Sequence, residues 1–328
     1  MRYEDMNEDE QIAEVQKLVP GILAQYGIEA SAIENVNHSY NSSFQIQSNQ
    51  GTYALRINLG SDKSQDEVLA EMQWLEALDG TINAPKPVRT TSNELFTATY
   101  FEPLDTNFTA VLFHWIEGEE VGDEATNEQL IQVGQNMAKL QVFARDLKFT
   151  GTAFLPTINR TLLQSKDLIR PKQSKLINDE LYADLIQAFE IADEVHERLT
   201  LTENLIPIHA DLHTANIIQT TNGIAVIDFD DAGIGLPIQD LSISAFYLRK
   251  DKEREKYVAE GYASILELPK VTPEDFEKLV MARALLLTNA VLGMTSAEMI
   301  EFTPTYLERT SKRLNHFFNT GEFLLSIN

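Results

Sequence analysis

The chain has 328 residues and carries 50 acidic against 26 basic side chains, which gives a net charge of −24 at pH 7. This charge argues against nucleic acid and anionic membranes as partners, because both are bound mainly through lysine and arginine. The chain has no cysteine, which excludes disulfides, zinc–thiolate sites and thiol nucleophiles. Its acidic N-terminus does not resemble a signal peptide, and its most apolar run, 279–294, is too short for a membrane span, so we expect a cytoplasmic protein.

The first part of the chain predicts a sheet with one main helix. Five short β-like runs are found at 33–36, 43–47, 53–57, 95–101 and 109–116. Residues 66–78 have apolar side chains at helical spacing, so a helix is expected there. Pro85 and Pro87 then exclude a helix or a central strand.

After Gly118 the pattern becomes mostly helical. Apolar side chains recur at three- and four-residue steps over 127–147, and similar periodicity appears at 179–199, 253–266 and from 274 onward. The chain is therefore predicted to be α+β, with a sheet-rich lobe at 1–115, a connector near 113–119 and a helical lobe at 116–328.

The second lobe contains one β-hairpin, with Asn222 and Gly223 as its expected turn. This dipeptide predicts a type I′ turn, which needs positive φ at both central residues. The resulting register opposes Asn216 to Phe229 and brings it beside Asp228. An ideal ladder would aim the side chains of Asn216 and Asp228 at opposite faces, so a shared ion requires the strand end to twist or fray.

The polar residues at this end of the hairpin suggest a reaction. Asn216 offers an amide oxygen and Asp228 a carboxylate, and both are hard ligands that suit Mg²⁺. Asp211, five residues before Asn216, can orient a hydroxyl group or receive its proton. An acid beside an Asn/Asp metal pair is the arrangement that phosphoryl transfer requires.

The motifs here resemble those of a known superfamily. HADLHTAN, from His209 to Asn216, and IDFD, from Ile227 to Asp230, resemble the H-x-D-x-x-x-x-N and D-F-D signatures of the aminoglycoside phosphotransferase and choline kinase-like superfamily, which is related to the protein kinases. The resemblance implies a bilobal protein-kinase-like fold with an N-terminal antiparallel sheet lobe and a catalytic hairpin in the helical lobe. It also implies ATP and Mg²⁺ as cofactors, Asp211 as catalytic base, and Asn216 and Asp228 as metal ligands.

The first lobe resembles the same superfamily more weakly. Arg56 stands in the third strand where relatives carry the basic residue that contacts the α- and β-phosphates, although arginine differs from lysine in shape. Glu71 stands where the main helix supplies the partner carboxylate. Either residue alone could lie on the surface, but together with the catalytic segment they favour a nucleotide-binding role.

The resemblance assigns further nucleotide contacts to Trp115, Ile116 and Glu117 at the hinge, to Ser42 and Ser43 in the phosphate-covering turn, and to His213 in the catalytic loop. That turn, 38–43, has no glycine, so only backbone N–H groups and the two serine hydroxyls could contact phosphate. His213 either contacts the γ-phosphate or supports its loop. No G-x-x-x-x-G-K-[ST] motif is present, which excludes a P-loop enzyme.

Two other functions compete with this interpretation. In an extended strand, His209, Asp211 and His213 would share one face and could bind a transition metal for a hydrolase. This alternative leaves Asn216 and Asp228 unexplained. A kinase-like module that binds nucleotide without catalysis is the second competitor, and the presence of the base and both metal ligands argues against it.

The acceptor is the least defined part of the prediction. Five acidic residues could form a mouth that attracts an amine-bearing substrate: Glu117, Glu119, Glu120, Asp230 and Asp231. A small molecule such as an aminoglycoside, choline, homoserine, or a similar amino alcohol or sugar is therefore expected first. A stress-response-type protein Ser/Thr kinase of the same fold is the alternative, because the D-D-A…Q-D-L run from 230 to 241 looks similar in that group.

Overall fold

The computed structural model describes residues 3, 6–38, 41–59, 63–294 and 297–327. The chain forms two compact units, which are described separately. Unit 1 comprises residues 1–118 and 147–154, and unit 2 comprises residues 119–146 and 155–328. The boundary expected between residues 115 and 116 stays a prediction.

Unit 1 is built on five strands: β1 (Ala30–His38), β2 (Asn41–Ser48), β3 (Gly51–Asn58), β4 (Thr97–Phe101) and β5 (Thr106–His114). They form one antiparallel sheet in the order β1-β2-β3-β5-β4. Each predicted β-like run overlaps one of these strands, so the predicted N-terminal antiparallel sheet is confirmed.

The described part of unit 1 contains three α-helices: α1 (Glu8–Gln16), α2 (Val19–Gln25) and α3 (Gln65–Ala77). Only α3 was predicted, and Ser64 begins it with a capping box to Glu67. The apolar side chains of α1 and α2 share a buried cluster with Leu55 and Ile57 of β3. Because successive strand residues point to opposite faces, Arg56 faces the other side of the sheet, where α3 lies.

Unit 2 contains six helices within the described residues: α4 (Asn127–Ala144), α5 (Asp179–Thr202), α6 (Pro237–Leu248), α7 (Glu255–Ala263), α8 (Pro273–Gly293) and α9 (Ala297–Thr320). Its main apolar cluster joins α5, α6, α8 and α9. Helices were predicted at α4, α5, α7 and α8, and α6 was missed. Among the described residues, no helix combines the length and apolar character that a membrane span needs.

Five short strands lie among these helices: β6 (Glu119–Glu120), β7 (Ile206–Ile208), β8 (Ile217–Thr220), β9 (Gly223–Val226) and β10 (Gly233–Gly235). β6, β8 and β9 form one sheet, and β7 pairs with β10 in another. The segment from β7 to β8 and the segment after β9 carry the residues of the HADLHTAN and IDFD motifs.

The predicted hairpin exists as β8–β9, but its predicted register is wrong. Gly223 pairs with Thr220, so the two central residues of the turn are Thr221 and Asn222. Each residue of β8 therefore pairs with a residue of β9 that lies two positions earlier in the chain than predicted. Positive φ occurs at Gly223 (+107°) and not at Asn222, which rules out the type I′ turn. The Thr220 hydroxyl stabilises this turn by accepting from the Asn222 N–H (3.2 Å) and donating to the Gly223 carbonyl (2.9 Å).

Helices α4 and α7 approach each other through two glycines. A Cβ atom at Gly134 would lie 1.9 Å from the carbonyl oxygen of Val258, and one at Gly261 would lie 1.9 Å from that of Ile131. No side chain fits at either position, so the close approach of the two helices requires glycine at both.

Candidate active site

The loop between β7 and β8 is held from two sides. Ala210 has a φ of +65°, which is unusual for a residue with a side chain, and its N–H donates to Oδ1 of Asp240 at 2.8 Å. The fully buried His209 contacts the carbonyl oxygen of Ile227 through Nε2 at 3.0 Å, and its ring lies 4.5 Å from that of Phe229. The loop therefore has a fixed backbone conformation.

Asp240, in α6, is the anchor of this loop, and two other helices support it. Gln141 of α4 donates to Oδ2 of Asp240 at 3.1 Å, and Tyr262 of α7 donates to Oε1 of Gln141 at 2.6 Å. Complete burial raises the pKa of Asp240, although the hydrogen bonds from the N–H of Ala210 and the amide of Gln141 favour its ionised form. The glycine-mediated approach of α4 and α7 brings Gln141 and Tyr262 together at this point.

Asp211, Asn216 and His213 lie together in the loop. The Asn216 amide Nδ2 donates to Oδ2 of Asp211 at 3.0 Å and to its backbone oxygen at 2.9 Å. His213 Nε2 lies 3.5 Å from the same carboxylate oxygen, while Oδ1 accepts from the guanidinium of Arg283. Burial favours the neutral acid, but the charge of Arg283 and the contact with His213 outweigh it. The pKa of Asp211 therefore lies below its ordinary value, and the carboxylate is ionised at neutral pH.

Asn216 and Asp228 supply the oxygen atoms that a hard cation prefers. Because Asn216 uses Nδ2 toward Asp211, its Oδ1 points elsewhere, and its backbone oxygen accepts from the N–H of Ile227 at 3.0 Å. Asp228 comes next in the chain, with an exposed side chain and a φ of +66°. This positive φ takes Asp228 out of the regular β-ladder. The expectation that a regular strand would aim the side chains of Asn216 and Asp228 at opposite faces therefore does not apply.

This donor set suits Mg²⁺. Within the described residues, no three His, Cys, Asp or Glu side chains form a group that could hold a metal alone. Mg²⁺ does not require such a group, because it commonly keeps several waters and binds through one or two protein side chains together with phosphate oxygens. The residues therefore fit a magnesium–nucleotide complex better than a closed all-protein metal site.

The metal set of the hydrolase alternative does not form. His209 is fully buried, and both ring nitrogens have backbone partners: Nε2 contacts the Ile227 carbonyl, and Nδ1 accepts from the N–H of Asp211 at 3.3 Å. Neither nitrogen is available to a metal beside Asp211 and His213, so the prediction of a shared metal face is wrong.

In unit 1, Arg56 and Glu71 form a buried ion pair with two parallel hydrogen bonds. NH1 donates to Oε1 at 2.8 Å and NH2 donates to Oε2 at 2.7 Å. Only 8% of Arg56 and 2% of Glu71 are exposed, and the guanidinium carbon lies 5.8 Å from the ring centroid of Phe113. Such a planar, two-bond contact fixes the orientation of the guanidinium.

The other predicted nucleotide contacts lie at strand ends of unit 1. Ser42 and Ser43 belong to β2, and the buried Ser42 hydroxyl contacts Nδ1 of His38. Residues 39 and 40 of the predicted phosphate-covering turn lie outside the described residues. Trp115, Ile116 and Glu117 follow β5, with the first two half-buried and Glu117 exposed. The nucleotide contacts of these five residues stay predictions.

Comparison with known proteins identifies the family. Residues 33–271 match the "Phosphotransferase enzyme family". The chain belongs to this family. The amicoumacin kinase of Bacillus subtilis (strain 168) is 23% identical over 246 residues, which cover 73% of this chain and 70% of that kinase. The predicted activity class, an ATP-dependent phosphotransferase that acts on small hydroxyl-bearing molecules, is confirmed.

Solved structures show the fold of this phosphotransferase. A microcompartment-associated aminopropanol kinase has a TM-score of 0.74 and 20% identity, and the match covers 95% of this chain and 100% of that one. An amicoumacin kinase in complex with AMP-PNP, Ca²⁺ and Ami has a TM-score of 0.68 and 18% identity, with coverage of 93% and 96%. The predicted superfamily and its protein-kinase-like α+β fold are confirmed.

Two residues beside Asp211 in this phosphotransferase were missed. Arg283 of α8 is 6% exposed and donates to the hydroxyl oxygen of Tyr247 at 2.8 Å as well as to Asp211. Burial lowers the pKa of Arg283, but the charge of Asp211 outweighs it, so the pKa is raised. The available signal was a lone arginine inside the apolar run at 279–294.

Proposed function

We propose that the chain transfers the γ-phosphoryl group of ATP to a hydroxyl group of a small molecule, with Asp211 as the base. The acceptor oxygen forms a bond to the γ-phosphorus while the bond from that phosphorus to the bridging oxygen of ADP breaks. The proton of the acceptor passes to the carboxylate of Asp211. The observation that carries the proposal is the Asp211 carboxylate, fixed at 3.0 Å from the amide nitrogen of Asn216.

The remaining roles follow from the chemistry of each side chain. Asn216, through Oδ1, and Asp228, through its carboxylate, would hold Mg²⁺, which neutralises phosphate charge when bound. Arg56, braced by Glu71, would contact the α- and β-phosphates, since its guanidinium has a fixed orientation. His213 would support the loop or contact the γ-phosphate. Ser42 and Ser43 would contact phosphate, and the backbone of residues 115–117 would contact adenine.

The acceptor is proposed to be a small compound that carries an amine as well as a hydroxyl group. The aminopropanol kinase is named for a small molecule that carries both an amine and a hydroxyl group. Asp231, with an exposed carboxylate, acts electrostatically on Arg283 and Tyr247 next to Asp211, so a negative charge lies near the reacting group. The absence of nucleic-acid and membrane partners remains part of the proposal and rests on the net charge, and a cytoplasmic location stays a prediction.

The first test is a screen for ADP release with MgATP and a panel of acceptors that includes amino alcohols, aminoglycosides, homoserine, sugars and a Ser/Thr peptide mixture. For an acceptor that responds, Asp211→Asn is expected to lower turnover by about 10³-fold or more, because the hydroxyl loses its proton acceptor. MgATP affinity, measured by calorimetry, should stay within about threefold, because the nucleotide ligands are unchanged.

Asp179→Asn is the matched control, since Asp179 is an exposed carboxylate of unit 2 whose ion pair with Lys172 lies at the surface. It is expected to match the wild type in turnover. Wild-type turnover in the folded Asp211→Asn variant, or no ADP release with any acceptor and no MgATP binding, would refute the proposed function. Phosphorylation of the peptides alone would favour the protein-kinase alternative.

A further inference from the structure

Four side chains form a closed ring of contacts in unit 2. Arg283 contacts Oδ1 of Asp211 and donates to the hydroxyl oxygen of Tyr247 at 2.8 Å. The Tyr247 ring stacks on the ring of His213, with centroids 4.0 Å apart and an interplanar angle of 26°. His213 Nε2 returns to Oδ2 of Asp211 at 3.5 Å. The ring joins α6, α8 and the β7–β8 loop at the carboxylate that the proposed reaction requires.

The two oxygens of this carboxylate are held by different elements. Asn216, from the loop itself, donates to Oδ2, and Arg283, from α8, donates to Oδ1. Rotation of the carboxylate about its Cβ–Cγ bond would break both contacts. Tyr247 in turn limits the guanidinium, because it accepts a hydrogen bond from NH2 and lies with its ring 5.5 Å from the guanidinium carbon.

We propose that Arg283 is a positioning residue for phosphoryl transfer: its guanidinium, located by Tyr247, holds the Asp211 carboxylate in the orientation that serves the acceptor hydroxyl. The inference rests on the proposed function. Packing alone does not explain an arginine here, because its neighbours in α8 are buried and mostly apolar, and an apolar side chain avoids the cost of removing a guanidinium from water. The cost of burying the guanidinium is explained if its charge acts on another side chain.

The kinetic test compares three variants of the full chain with the best acceptor from the screen. Arg283→Met keeps the length of the side chain without its charge, and is expected to lower kcat by about 10²-fold with the KM for MgATP little changed. Arg283→Lys restores the charge and a donor, and should recover at least about tenfold of the lost kcat. Tyr247→Phe keeps the stacked ring, so it should lose only severalfold in kcat.

Arg198→Met is the matched control, because Arg198 forms an ion pair with Asp275 in the same unit but has a side chain that is 49% exposed. It should leave kcat unchanged. Circular dichroism of every variant confirms that the kinetic comparison is made on folded protein.

Unchanged kcat in folded Arg283→Met would overturn the role of Arg283, and so would a faster Arg283→Met, since Arg283 would then compete with the acceptor for Oδ1. A loss in Arg283→Lys equal to that in Arg283→Met would also overturn it, because the restored charge and donor would then have no effect. If the wild type phosphorylates no acceptor, the proposed function itself fails and this role fails with it, whereas wild-type turnover that Arg283→Met leaves intact refutes the role of Arg283 alone.

Discussion

Two ion pairs made by α3 differ mainly in their exposure to water. Glu71 pairs with Arg56 in the interior, whereas Glu76 pairs with Arg89 through side chains that are 45% and 37% exposed. Glu71→Gln should lower the free energy of unfolding by about 3 kcal/mol or more, because it leaves a buried guanidinium without its counter-charge. Glu76→Gln, the matched control on the same helix, should change it by less than about 1 kcal/mol. Urea denaturation measures both, and equal losses would contradict the argument.

Individual site residues were predictable where short motifs carry them. The spacing of HADLHTAN predicted that Asp211 and Asn216 lie together, and the structure joins them at 3.0 Å. Arg283 lies 72 residues from Asp211 in the chain, and no spacing rule links an arginine in an apolar helix to a particular carboxylate. A buried cation must be paired, so an arginine in an apolar helix predicts that an acidic partner exists but does not identify that partner.

At the level of elements, the glycine contacts between α4 and α7 support a stability prediction. Gly134→Ala and Gly261→Ala should each lower the free energy of unfolding by more than about 3 kcal/mol, because the new methyl group meets a backbone carbonyl that cannot rotate away. The control is Gly21→Ala in α2, where a Cβ meets no atom within 4 Å. It should be neutral or stabilising by about 0.5–1 kcal/mol, as expected when alanine replaces glycine inside a helix.

Thermal and urea unfolding of the three alanine variants test this difference. If Gly21→Ala lowers the free energy of unfolding as much as Gly134→Ala does, general effects of alanine in a helix outweigh the close approach of α4 and α7. Wild-type stability at Gly134 or Gly261 would show that α4 and α7 separate easily. Gln141 and Tyr262 lie on these helices, so loop geometry at Ala210 should also respond to the two destabilising changes.

The type of an element was easier to predict than its register or its presence in the core. The Asn222–Gly223 pair correctly indicated a hairpin. The same sequence also fits a turn centred on Thr221 and Asn222 and followed by a glycine with positive φ. The hydrogen bond of the Thr220 hydroxyl favours this second turn. Helix α6 was missed because nearly all of its side chains are buried. A helix without a polar face lacks the 3.6-residue alternation on which prediction depends.

For the whole molecule, the net charge of −24 predicts an unusual response to salt. When the ionic strength rises from about 0.01 M to about 0.1 M, the screening length falls from about 30 Å to about 10 Å. Long-range repulsion between surface carboxylates weakens, so the unfolding temperature should rise. The buried Arg56–Glu71 pair is screened much less than the surface pairs. A fall in the unfolding temperature, measured by calorimetry in NaCl, would mean that surface ion pairs outweigh the repulsion.

The division of the chain into units was only partly accessible to sequence. A change from β-like runs to helical periodicity near residue 118 is visible in the pattern. The assignment of residues 147–154 to unit 1 is not visible in the sequence pattern, because it depends on contacts of these residues with α3. The side-chain amide of Gln73 bonds the backbone of Thr150 at 3.1 and 2.8 Å, and the backbone oxygen of Asp66 accepts from the N–H of Phe154 at 3.4 Å. Such contacts between distant segments depend on three-dimensional packing, which local patterns do not encode.

Helix α6 holds the β7–β8 loop at two points. Asp240 and Tyr247 are separated by seven residues, two helical turns, and so lie on the same side of the helix. One secures the backbone at Ala210, and the other restrains His213 and Arg283. This side of α6 therefore has little mutational freedom, and selection for a new acceptor would have to act on segments outside it.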